Sequence, residues 1–157
     1  MAKRLYHLEI EEDSVKEHYL AIHTLLEAHK LAFYINQKSP LLLSRSKKDI
    51  KNENQEGFFQ LFEWQDLFGG KKCQLVSNKF SKESKGDFLN INTLFQLPER
   101  KKVYLFPEFK QVDFFIRSTC PEILKIVKVE LNKWSVVSMI YCISSNEIKT
   151  QMNLIFD

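Results

Sequence analysis

The stretch that decides the fold opens with Val112-Asp113-Phe114-Phe115-Ile116-Arg117 and closes with Val136-Val137-Ser138-Met139-Ile140-Tyr141-Cys142-Ile143. Both flanks are rich in β-branched and aromatic residues and read as strands. Between them, Pro121 suits a first helical position, where its missing N–H would have had no partner anyway. Ile123, Val127, Leu131 and Trp134 follow at helical spacing and form one apolar stripe. The period of two predicts Val112, Phe114 and Ile116 on one strand face, with Asp113, Phe115 and Arg117 on the other. This half of the chain therefore reads as a β-α-β unit.

Towards the N-terminus the same pattern recurs. Ser14-Val15-Lys16-Glu17 has the form of a capping box. Val15, Tyr19, Ile22, Leu26, His29 and Phe33 then predict a helix that ends near Asn36, before Ser39-Pro40. Tyr6, Leu8 and Ile10 predict a strand ahead of it, and Leu41-Leu42-Leu43-Ser44-Arg45 a short buried strand after it. Ser46 to Glu56 reads as a polar loop. Gly57 to Trp64 and Lys72 to Asn78 flank Gly69-Gly70 and predict an antiparallel hairpin. Residues 79–87 are charged and predict a mobile loop, while Lys102-Val103-Tyr104-Leu105-Phe106 and Asn153-Leu154-Ile155-Phe156 are strand-like. The expectation is one α+β domain over residues 1–157. It has two β-α-β units joined by a β-hairpin, an antiparallel or mixed sheet, and two helices packed on one face.

Composition narrows the class. With 157 residues, 44% of them hydrophobic and thirteen Phe, the chain can bury a core without disulfides or metal. Apolar runs are too short for a membrane span, and the first residues lack the apolar core of a signal peptide. Three widely spaced Cys (73, 120 and 142) fit reduced thiols, so the expected location is cytoplasmic. A net charge of +3 does not demand a nucleic-acid partner.

Residues that could carry chemistry are few. His18, His23 and His29 fall on the predicted first helix at spacings that present no pair on one face, and His29 lies on its apolar stripe. No metal site is expected from them. Cys73 and Cys142 sit in strand patterns and read as small packed hydrophobes. Cys120 precedes Pro121 at a helix start, the one thiol with a physical route to activation. No Gly-rich phosphate loop or nucleophile elbow is present, so neither a cofactor nor a catalytic residue is assigned. Basic groups at Arg45, Lys47, Lys48, Lys51, Lys71, Lys72 and Arg100-Lys101-Lys102 are answered by Asp49, Glu53, Asp66 and Glu99, as on a solvated surface.

The remaining feature is Phe106-Pro107-Glu108-Phe109-Lys110-Gln111-Val112-Asp113-Phe114. It resembles the pattern after which the IPExxxVDY family of Bacteroidetes proteins is named. Pro107, Glu108, Val112 and Asp113 match, while Phe106 and Phe114 stand where the pattern has Ile and Tyr. The resemblance extends to Ala21-Ile22-His23, Leu61-Phe62-Glu63-Trp64 and the closing segment, and implies a small cytoplasmic protein without implying an activity. By its chemistry, Pro107 interrupts strand pairing. Glu108 is expected to accept backbone N–H groups of the following turn, and Asp113 to pair with a cross-strand base. The functional alternative makes Glu108 and Asp113 a carboxylate pair for acid–base work. Phe on both faces of the strands (Phe58, Phe59, Phe62, Phe114, Phe115) implies that the sheet is covered twice or that one face binds something. The expected function is a non-catalytic protein-binding or adaptor module, its partner another protein or a second copy. The alternatives are an RNA-associated accessory protein and an enzyme using Glu108 and Asp113.

Overall fold

The computed structural model describes residues 16–51, 57–83 and 100–148. Along the chain run β1 (His18–Thr24), α1 (Ala28–Lys38), β2 (Ser44–Arg45), β3 (Ile50–Lys51), β4 (Phe58–Phe59), β5 (Leu61–Gln65), β6 (Lys72–Ser77), β7 (Lys79–Glu83), β8 (Arg100–Tyr104), β9 (Phe114–Ser118), α2 (Pro121–Asn132) and β10 (Val137–Ile143). A six-stranded sheet in the order β10-β1-β9-β6-β5-β2 is the frame, and every neighbouring pair in it is antiparallel. Two ribbons, β3-β4 and β7-β8, stand beside it.

Both helices pack on one face. Leu31, Ala32 and Ile35 of α1 and Ile123, Leu124, Val127 and Leu131 of α2 bury against Leu20, Ile22, Leu75, Ile116 and Ile140 of the sheet. Tyr34 and Trp134 stack at 3.7 Å where the helices meet. On the other face, Val103, Leu105, Phe106 and Val112 cover Tyr19, Ala21, Val76 and Phe115. The sheet is thus covered twice over its β1-β9-β6 half, which answers the surplus of Phe. The fold is α+β, as expected.

Its connectivity differs from two simple β-α-β units. The strands joined by α2 are β9 and β10, and β1 lies between them. Those joined by α1, β1 and β2, are separated by three other strands. The β5-β6 hairpin forms as predicted, with Phe62 opposite Leu75 and Gln65 opposite Lys72.

The N-terminal reading needs the largest correction. Residues 18–24 form a strand, and helix begins only at Ala28. A central strand covered on both faces has no polar alternation: Tyr19, Leu20, Ala21 and Ile22 are all buried, so its pattern mimics other periods. Phe33, on the supposed stripe, is 62% exposed. Glu17 pairs with Arg117 in place of the predicted cap. Residues 50–51 of the predicted polar loop pair with Phe58 and Phe59. Where a mobile loop was predicted at 79–87, residues 79–83 form β7. Residues 84–87, the predicted strands at 5–10 and 153–156, and Ser14 lie outside the described residues. Val112 faces the core opposite to that of Phe114 and Ile116, because the regular strand starts only at Phe114.

Candidate functional site

The Pro107–Asp113 segment is a closed loop. Phe106 is buried, with its ring edge-on to Phe115 at 4.7 Å. Pro107–Phe109 makes one turn of 3-10 helix. The turn closes through Phe109 N–H to the Phe106 carbonyl (3.0 Å) and Val112 N–H to the Phe109 carbonyl (3.1 Å). Asn78, completely buried between β6 and β7, ties it down. The Asn78 side chain donates to the carbonyls of Phe109 and Val112, both at 2.9 Å, and its Oδ1 accepts from Phe106 N–H at 2.8 Å. The Asn78 backbone donates to the Asp113 carbonyl (2.9 Å) and accepts from Leu105 N–H (2.9 Å). One asparagine thereby satisfies the backbone of a buried irregular segment.

Asp113 pairs with a base, as expected, and also accepts a backbone N–H from β1. The Asp113 Oδ2 accepts Thr24 N–H at 2.9 Å, and Oδ1 pairs with Lys79 Nζ at 2.5 Å. Its backbone N–H reaches the Ile22 carbonyl at 3.0 Å. Glu108 is exposed on the 3-10 turn. Neither carboxylate lines either of the two broad grooves described next. Phe114 packs on the helix face of the sheet.

The larger groove, about 570 Å³, lies on the face away from the helices, beyond the part that the loop covers. Strand register sets Ser44, Glu63, Gln74 and Arg117 side by side there, with the buried Tyr19 next in the row. Arg117 is neutralised by Glu17, which also accepts the Tyr19 hydroxyl at 3.0 Å. Burial pushes the Tyr19 phenol up to about 12, with Arg117 opposing and Glu17 reinforcing the shift, so it stays a donor. This row offers polar contacts but no activated nucleophile. The second groove, about 430 Å³, runs between Glu27, His29, Asp49, Phe58 and Lys79.

The histidines are not on one helix: His18 and His23 belong to β1, and His29 to α1. His29 is exposed, 3.5 Å from Glu27, and so is not the packed residue expected. His23 meets the Tyr141 hydroxyl at 3.3 Å. Among the described residues no group of three or more His, Cys, Asp or Glu converges as a metal set would. Cys73 is buried, and its burial pushes the thiol up to about 12. Cys142, read as packed, is exposed on the edge strand. Cys120 is buried at the start of α2, with Sγ 3.4 Å from Glu122 Oε2. No helix among the described residues is long and apolar enough to cross a membrane.

The most conspicuous surface feature is the tip of the β5-β6 hairpin. Leu67 and Phe68 are 101% and 95% exposed. The turn beneath them is well tied. Asp66 N–H donates to the Lys71 carbonyl (3.0 Å), Gly69 N–H to the Asp66 carbonyl (3.0 Å), and Lys71 N–H to Asp66 Oδ1 (3.2 Å). Gly69 sits at φ +71°, and a side chain there would also meet Gln65 Nε2 at 3.0 Å. The tip occupies the end of the sheet opposite to Asn78 and Asp113, since Lys72 pairs with Gln65 while Ser77 pairs with Phe114.

No family model, curated protein or solved structure matches this chain. Sequence reasoning missed two features. Two apolar residues inside a predicted turn were a legible sign of the tip. A lone Asn between strands gave no sign of the clamp.

Proposed function

We propose that this protein is a non-catalytic protein-binding module of the cytoplasm, anchored on its partner by Leu67 and Phe68. The observation that carries the reading is the tip itself: two large apolar side chains held in water by a hydrogen-bonded turn. A turn already ordered loses little entropy on binding. Fully burying a Leu and a Phe side chain contributes about 1.5–3 kcal/mol each, the size of an interface hot spot. Lys71 and Lys72 flank the tip and are exposed, while the Asp66 carboxylate is turned inward to the loop. The complementary surface is an apolar pocket with an acidic rim.

The wired loop from Phe106 to Asp113 supports the resemblance to the IPExxxVDY family as a structural signature. Both Asp113 oxygens are engaged and Glu108 sits on an exposed turn, so the geometry favours binding over acid–base chemistry. RNA association has one supporting observation: the β7-β8 ribbon carries exposed basic residues on both strands, with Lys82 opposite Lys101 and Lys102 next to it, a surface that could follow a phosphate backbone.

Photo-crosslinking decides. A photoreactive residue at Phe68 should capture the same protein species repeatedly, and one at the exposed Phe33 should not. Unlabelled wild-type chain should compete, and a Leu67→Ser/Phe68→Ser chain should not. Equal capture from both positions, or competition by the tip variant, would refute the reading. Salt-sensitive recovery of RNA in place of protein would favour the ribbon.

A further inference from the structure

The second surface is the side of β10 turned away from β1. Among the described residues β10 pairs only with β1, leaving a seven-residue strand at the sheet edge. Val137 to Ile143 contains no charged residue and no proline, the devices that usually guard an exposed edge. The regular part begins at Met139, since the register with β1 shifts between His23 and Thr24.

What lies above and below this edge selects its occupant. On the helix side, Lys128 Nζ reaches to 4.0 Å from Cys142 Sγ, so that flank of α2 overhangs β10. Lys125, one turn earlier, shares the flank and is exposed. On the opposite side the edge presents Met139, 56% exposed, and the half-buried ring of Tyr141. A strand laid along β10 would therefore turn alternate side chains towards two lysines and towards an apolar strip.

We propose that the β10 edge binds an extended protein segment in which acidic and apolar residues alternate. Backbone hydrogen bonds add it as a further strand, its acids lie under Lys125 and Lys128, and its apolar residues cover Met139 and Tyr141. A second copy of this chain fits poorly. Twofold pairing of β10 with itself would bring the Lys125–Lys128 flank of one α2 against the same flank of the other, like charge on like charge. This surface lies across the sheet from the hairpin tip and stands independently of it.

The test uses the full chain and a capped heptapeptide of alternating valine and glutamate, with a valine–lysine peptide as control. Hydrogen exchange should show the outward amides of residues 139–143 unprotected in the free protein and protected by the glutamate peptide. Binding should weaken with added salt, fall about tenfold in Lys125→Glu/Lys128→Glu, and be unchanged in Leu67→Ser/Phe68→Ser. Three results would overturn the proposal. They are protection of those amides before peptide is added (a segment of the same chain in place), a stable dimer by light scattering, or equal binding of the lysine peptide.

Discussion

Asn78→Ala tests the clamp on which the Pro107–Asp113 loop depends. The change removes two donated bonds, to Phe109 and Val112, and one accepted bond, from Phe106. Phe106 and Val112 are buried at 1% exposure each, so water cannot replace those partners without opening the core. At about 1–1.5 kcal/mol per bond left unmade, the loss is about 3–5 kcal/mol. That is a large part of the about 5–15 kcal/mol that holds a typical domain together. For a chain of this size it lowers Tm by about 6–20 °C. Urea unfolding followed by tryptophan fluorescence reads the effect well, because Trp64 and Trp134 pack against the helix-side core and report global unfolding. The midpoint should fall with the slope unchanged. A loss below about 1 kcal/mol would refute the reasoning. Asn78→Asp adds a check with a sign. Its carboxylate faces two carbonyl oxygens, so folding disfavours the charged form and raises the pKa of the introduced group. The variant should be weak at neutral pH and regain stability as the pH falls towards about 4, where a protonated carboxyl donates again.

Asp113→Ala should cost about 1–3 kcal/mol, since it strands Thr24 N–H and Lys79, whereas Glu108→Ala on an exposed turn should stay within about 1 kcal/mol; paired thermal melts check the ranking. Under native conditions one thiol, Cys142, should react quickly with a disulfide reagent, and Cys142→Ser should abolish the fast phase; a surviving fast phase would contradict the burial of Cys73 and Cys120. Alkaline stability should decline between about pH 9 and 12. Both Cys73 and Tyr19 are held protonated by burial, with folded values raised to about 12, so their contribution is complete below the unfolded values and lost as pH rises. Tyr19→Phe should flatten the upper part of that decline in pH-dependent urea melts.

How much of this was legible in the sequence depends on where local patterning and tertiary burial agree. The segment from Pro121 to Ile143 was readable because α2 has one covered face, so its apolar residues recur at helical spacing. The β5-β6 hairpin was readable because Gly69 marks its turn. β1 was misread because it lies between β9 and β10 under covered faces, and burial on both sides erases the alternation that identifies a strand. In the motif, the pairing of Asp113 with a base was legible, whereas its acceptance of the Thr24 N–H was not. Nothing local distinguishes two carboxylates five residues apart when the deciding partners, Thr24 and Lys79, come from distant strands.

The spacing of the motif follows from the clamp. Phe106 N–H, the Phe109 carbonyl and the Val112 carbonyl all meet one primary amide, which spans only a few ångströms. The chain must leave Asn78 at residue 106, complete one 3-10 turn, and return at 112 with the backbone oriented for both. Asp113 is then delivered to Lys79 and Thr24 without a further degree of freedom. A residue inserted between Glu108 and Val112 would carry at least one of the three groups out of reach and should destabilise the fold about as much as Asn78→Ala, by about 3–5 kcal/mol. A residue inserted between Leu67 and Phe68 acts at the opposite end of the sheet, on side chains that bury nothing. It should cost little stability and abolish partner capture. Urea melts and crosslinking on the two insertion variants would separate the half of the molecule that holds the fold from the half proposed to meet a partner. Equal losses of stability in both would contradict that division.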